Sequence, residues 1–169
     1  MNCVAPCLLV ASPLLLDPHF LHAVVLLIEH NENGAMGLVL NRPIPVPVSQ
    51  ICDEGGIEYN GDPDAVAYCG GPVEPGRGMV LVRGEMPDPE DTVLDFTDFV
   101  SIRKDLLEEL AKSRNAKFRL FLGYSGWGAG QLEGELERHA WIRLTLQPDL
   151  LFLEEPLTLW RETMKPFLE

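Results

Sequence analysis

Residues Ala23 to Pro43 constrain the fold more than any other part of this chain. Ala23-Val24-Val25-Leu26-Leu27-Ile28 and Ala35-Met36-Gly37-Leu38-Val39-Leu40 are apolar runs of strand length, joined through His30-Asn31-Glu32-Asn33-Gly34. Asn-Gly between two such runs is a hairpin signal, because both residues tolerate the positive φ that a tight turn demands. Neither run alternates polar with apolar residues. Both faces of both strands therefore need cover, which places the hairpin inside a sheet and not at its edge. Asn41-Arg42-Pro43 ends it, since proline cannot donate to a ladder.

Around this hairpin the pattern is mainly extended. Cys7 to Ala11, Val66 to Cys69 and Met79 to Arg83 read as strands, Thr92 to Val100 as extended chain, and Asp149 to Leu153 as a last strand. Met86 to Asp91 reads as an acidic surface loop, Gly70 to Gly78 as a glycine loop, and Pro43 to Asp64 as an excursion or lid with a short helix at Val48 to Cys52. Ser101 is placed to cap a helix from Ile102 to about Lys112, with Leu106, Leu107 and Leu110 as its inner stripe. Pro156, suited to a first helical position, opens a terminal helix through Trp160 and Met164. Strands outnumber helices about seven to three, which is the balance of an α+β domain with a large mixed sheet.

The segment from Gly123 to Glu133 carries four glycines in its first eight residues, between the apolar end of Lys117 to Leu122 and a helical pattern from Gln131 to His139. Strand, glycine loop and helix together form the outline of an anion-binding turn. Its chemistry argues otherwise. No lysine lies between positions 118 and 164, so a Walker loop is excluded, and Gln131 stands where a dinucleotide fingerprint starting at Gly126 needs its third glycine. Glu133, Glu135 and Glu137 suit the positive helix end and would repel a bound anion. The glycines then answer a backbone need, either positive φ or close approach of Trp127. A ligand pocket walled by Tyr124, Ser125, Trp127 and Gln131 is the functional alternative.

At 169 residues the chain is a single domain, 1–169, long enough to bury roughly 70% of its unfolded surface. No run of eighteen apolar residues crosses a membrane, and the Met1 to Val10 segment lacks a basic start and is broken by Pro6, so neither membrane nor secretion is expected. The location expected is the cytoplasm, with Cys3, Cys7, Cys52 and Cys69 as free thiols. A net charge of −13 makes direct nucleic-acid binding an unfavourable expectation, because that binding neutralises phosphates. His19 and His22, three apart at a strand entry, fall on opposite faces, and no third ligand accompanies them; no metal and no cofactor are expected.

Four stretches in order resemble the AlgH/YqgE family of bacterial proteins: Ala11-Ser12-Pro13 with Asp17-Pro18 and Phe20; Glu29-His30 with Gly34 to Pro43; Gly70-Gly71-Pro72-Val73; and Gly123 to Glu133. The match runs from about Leu8 to Trp160 and is loosest at Pro45 to Ala65. The resemblance implies an α+β domain with a mostly antiparallel, mixed and strongly curved sheet flanked by about three helices. It implies no known cofactor and no established activity, and a regulatory role, transcriptional regulation included.

Within those stretches the candidate ligand-binding residues are His30, Asn41, Arg42, Glu74, Tyr124, Ser125, Trp127, Gln131 and Glu133. Hairpin geometry sets His30 at the turn end and Asn41 with Arg42 at the far end, so one site cannot use all of them through the hairpin alone. Arg42 is suited to clamp a carboxylate or phosphate, or else to pair with Glu74 or Glu133. Gly123-Tyr124-Ser125-Gly126-Trp127 does not reproduce a Gly-x-Ser-x-Gly elbow. No catalytic residue is assigned. The expectation is a non-catalytic module that binds a small molecule or a protein; the alternative is a cofactor-free hydrolase using a cleft along residues 123–133, with Glu133 or His30 as base.

Overall fold

A computed structural model describes residues 5–84, 88–94, 98–152 and 155–167. Cys3, part of the 86–91 loop, the middle of the 92–100 stretch and Leu153 lie outside those residues. The hairpin forms: β2 (Val24–Asn31) pairs with β3 (Gly34–Val39) in antiparallel register from Val25↔Val39 to Asn31↔Gly34, with a bulge between Leu27 and Glu29. It turns at Glu32-Asn33, one residue before the Asn-Gly pair read from the sequence. It is interior, because β1 (Cys7–Ala11) flanks β2 and β9 (Lys117–Gly128) flanks β3.

Among the described residues ten strands make one sheet. The others are β4 (Pro43–Pro47), β5 (Val66–Cys69), β6 (Val73–Arg83), β7 (Thr92–Val93), β8 (Asp98–Ser101) and β10 (Trp141–Leu144), in the order β10-β1-β2-β3-β9-β6-β8-β7. Off that path, β4 pairs with β5, and β5 joins β9 in the sheet's one parallel ladder among the described residues. The sheet is strongly curved. One apolar cluster takes alternate residues from β1 across to β8, including Leu8, Leu26, Leu38, Phe121, Leu81 and Val100, so these strands share a concave face.

Among the described residues five short α-helices cover the faces: α1 (Val48–Glu54), α2 (Lys104–Lys112), α3 (Gln131–Glu137), α4 (Pro148–Leu151) and α5 (Leu159–Met164). The concave face is filled by Leu151 and Phe152 at α4 and by Leu159 and Met164 of α5. On the convex face α3 covers β1–β3 through Leu132, with Trp127, Trp141 and Phe20. Residues of α1 and α2, Cys52 and Leu106 among them, cover β6 and the start of β9. This two-sided cover is what the apolar hairpin required, and each fully buried leucine such as Leu9 or Leu27 contributes about 1.5–3 kcal/mol.

Several boundaries differ from the sequence reading. The glycine stretch is not a loop: β9 continues to Gly128, and only Ala129 and Gly130 turn before α3. The Gly70–Gly78 stretch likewise belongs to β6 from Val73, with its extra residues looped out between Val73 and Gly78. The 43–64 excursion is ordered, and β4 tolerates its prolines because β5 is its partner on one side. Ser101 ends β8 opposite Val80 and is not a helix cap; its hydroxyl accepts from Arg103 N (3.1 Å), and α2 begins at Lys104. Residues 148–151 are helical where a strand was read, because Pro148 at the first turn is preset for a helix. The strand β10 was missed. Ala140 continued the helical spacing of Leu132 and Leu136, but His139 at φ 61° breaks α3 and returns the chain beside β1.

Candidate functional site

The family-like motifs converge where β2, β3 and β9 end together. Gly34↔Gly128, Ala35↔Trp127 and Met36↔Gly126 are opposed across β3 and β9, so Trp127 stands on the convex face while Met36 and Tyr124 stand on the concave side. What demands glycine here is a crossing of chains. Gly71 has φ +152°, and a Cβ on it would lie 2.3 Å from the Tyr124 backbone; Gly123, at φ +75°, would strike the Gly71 carbonyl at 2.5 Å. The β5–β6 connection therefore lies directly against β9.

On the convex side Gln131 and Glu135 hold α3. Glu135 Oε1 accepts from both indoles, Trp127 Nε1 at 3.0 Å and Trp141 Nε1 at 2.9 Å, while Oε2 accepts from Gln131 Nε2 at 3.0 Å. Gln131 Oε1 in turn accepts from Gly128 N at 3.0 Å and joins β9 to the helix. His30 Nε2 lies 3.2 Å from Glu133 Oε1; both atoms are shielded from water and off the hydrogen-bonding axis, and the imidazole is 7% exposed. The backbone N–H of Glu133 and then His30 hold that carboxyl below its usual range. Glu135 was not among the candidate ligands. Its signal was position, three residues after Leu132 on the helix's inner stripe.

Ser125, read as a pocket-wall residue, is fully buried and donates its hydroxyl to the Gly70 carbonyl at 3.0 Å. Asn41 and Arg42 sit at the other end of the hairpin, as its geometry required. Asn41 accepts from Val24 N (3.0 Å) and donates to His22 O (2.9 Å), and Arg42 donates to Leu21 O, so together they pin the β1–β2 connection. Burial pulls the Arg42 guanidinium down from its ordinary pKa, with Cys69 acting in the opposite sense. The expected pairing of Arg42 with Glu74 or Glu133 does not form, because each carboxylate has a nearer partner. Glu74 lies 3.3 Å from Arg77 and accepts from Tyr124, and Glu133 meets His30.

The concave side of the same strand ends is open. A groove of about 310 Å³ is bordered by Glu29, Asn31, Asn33, Gly34, Met36 and Tyr124. Tyr124 is held at its edge: its hydroxyl donates to Glu74, which raises its pKa, and Arg77 lies over its ring at 6.0 Å. Asn31 donates to Glu29 (3.1 Å) and accepts from Asn33 N (2.8 Å), so the rim is preset. Of the nine candidates, Tyr124 and Trp127 border this groove.

With this geometry established, comparison with known proteins is direct. The AlgH-like family (DUF179) matches residues 8–167. The chain belongs to that family. A UPF0301 protein of Myxococcus xanthus is 37% identical over 166 residues, covering 98% of this chain and 91% of that protein. One from Idiomarina loihiensis is 38% identical over 96% of this chain and 90% of its own length. The solution structure of AlgH from Pseudomonas aeruginosa superposes with a TM-score of 0.77 at 32% identity, covering 100% of this chain and 94% of that one. A crystal structure of a Corynebacterium diphtheriae protein shares the fold with a TM-score of 0.79 at 24% identity, over 98% and 88% of the two chains. AlgH-like membership accounts for the curved α+β sheet. Among the described residues no helix is long and apolar enough to cross a membrane.

Proposed function

We propose that this AlgH-like chain is a non-catalytic binding protein of the cytoplasm. It recognises a small molecule or a protein segment at the Tyr124 groove and acts in a regulatory setting. The observation that carries the reading is the division of labour at the strand ends. Ser125, Gln131 and Glu135 are engaged in structure, while Glu29, Asn31 and Tyr124 form a preset polar rim around open space. A thermal-shift screen of metabolites and nucleotides against wild type and Tyr124→Ala tests it. A ligand at one hundred times its Kd adds roughly 2.7 kcal/mol, or about 5–11 °C, to wild type. A shift that Tyr124→Ala loses supports the groove; a shift of equal size in both proteins defeats it.

One observation favours the hydrolase alternative. An imidazole buried against a carboxylate, as His30 is against Glu133, is how a general base is oriented. The committed hydroxyl of Ser125 weighs against it. Turnover of chromogenic esters or amides that disappears in His30→Gln, with the melting temperature kept, would establish the enzyme reading in place of the first.

A further inference from the structure

At the opposite end of β9 the sheet is split. β5 runs parallel to β9 at Tyr68↔Phe121 and Cys69↔Leu122, and the same register carried back would set Val66 opposite Arg119 and Asp64 opposite Lys117. The two strands part there, while Val66 pairs with Pro47 of β4 on the other edge of β5. The gap is a cavity of about 480 Å³ whose walls include Asp64, Val66, Lys117 and Arg119. β9 keeps β6 on its other side, from Val80↔Leu120 to Arg83↔Lys117. Over Lys117–Leu120 no strand lies on the cavity side among the described residues. In an antiparallel ladder alternate residues turn both backbone groups away from their partner, so this stretch presents donors and acceptors to the cavity.

Side chains define what fits there. Arg119 lies over the Tyr68 ring at 5.0 Å, and Lys117 over the Phe152 ring at 5.3 Å, so two cations rest on an aromatic floor at the concave side. Burial pulls the Arg119 guanidinium below its ordinary pKa, and a charge held in such surroundings attracts an anion more strongly than one in water. Asp62 and Asp64 stand on the opposite lip and disfavour a run of acidic residues. We propose that this slot binds a short extended peptide bearing one acidic residue, which adds as a strand beside Lys117–Leu120 and sets its carboxylate against Lys117 and Arg119. It is a second site, separate from the Tyr124 groove.

Fluorescence polarisation with a panel of fluorescein-labelled, amide-capped four-residue peptides tests this. Each carries Glu at the second position, Lys at the fourth, and Val, Leu, Thr or Phe between and before them. At least one binds saturably, and binding weakens as salt is raised. Replacing its Glu by Lys, or making Lys117→Glu in the protein, costs about tenfold or more, the loss of a charge-assisted contact. Methylating the central amide nitrogens removes binding to wild type, an arm that depends on no protein variant. Tyr124→Ala leaves binding unchanged. The proposal is overturned if no peptide in the panel saturates, if the N-methylated peptide binds as well as its parent, if Tyr124→Ala abolishes binding, or if N-acetyl-glutamate amide competes as tightly as the peptide.

Discussion

From Gly123 to Gly128, β9 is pressed between neighbours: the β5–β6 connection lies on its backbone, β3 flanks it, and α3 follows it at once. From Lys117 to Leu120 the same strand has β6 on one side and a 480 Å³ gap on the other. At the crowded end, polar side chains have been drawn into the structure, Ser125 onto Gly70 O and Glu135 onto two indoles. At the open end, cations rest on aromatic rings. The difference teaches that polar residues gathered in a motif do not mark a site. Separation of the backbones decides how far a strand's polar groups are spent on packing.

The sharpest way to break the crowded end is Gly71→Ala. Its Cβ would lie 2.3 Å from the Tyr124 backbone at φ +152°, so strain and overpacking together should cost roughly 3–5 kcal/mol in urea unfolding. Gly76→Ala, which meets nothing within 4 Å, should change stability by no more than about 0.5 kcal/mol. Equal losses in the two variants would mean the crossing is not tight. Next comes Glu135→Ala, which leaves the indole N–H groups of the buried Trp127 and Trp141 without their acceptor and should cost about 2–3 kcal/mol; Glu135→Gln should lose less.

A pH titration gives a smaller effect. The Glu133 carboxyl is held low in the folded protein, so its contribution is present above the unfolded carboxylate pKa and is lost as pH falls through the folded value. Urea midpoints of wild type should therefore exceed those of Glu133→Gln at pH 7 and converge with them once pH has fallen through the lowered pKa of the folded carboxyl. A gap that stays the same size throughout the acid range would show that the variant acts through packing instead. Smallest of all should be Lys117→Gln at the open end, within about 0.5 kcal/mol of wild type, because its exposed ammonium rests on a ring and makes no ion pair among the described residues. A larger loss would make that end structural as well.

Much of the fold could be read directly. Cys7–Ala11 and Val66–Cys69 match their strands residue for residue, and the central hairpin forms, although its turn residues are Glu32 and Asn33 and Gly34 already pairs with Asn31 in β3. These signals are local: apolar runs bounded by turn residues, with no competing periodicity. The misses were places where a tertiary partner decided. Gly123–Gly128 is strand because β3 pairs with it, although glycine composition reads as loop. Trp141–Leu144 is strand because β1 offers an edge. The site was less legible still. Tyr124 and Ser125 are neighbours on one strand, yet alternation turns one toward the groove and buries the other.

By itself the sequence determined that a doubly covered hairpin lies inside an α+β sheet, that the glycines of 123–130 answer a backbone need, and that the chain is AlgH-like, since each depends on residue type and spacing along the chain. Only the tertiary structure decided that Arg42 anchors the β1–β2 connection, that Glu135 ties two indoles to α3, and that β5 leaves β9 open beside Lys117. Those outcomes depend on distances between residues remote in the chain, and hydrogen bonds and cavities are set by such distances.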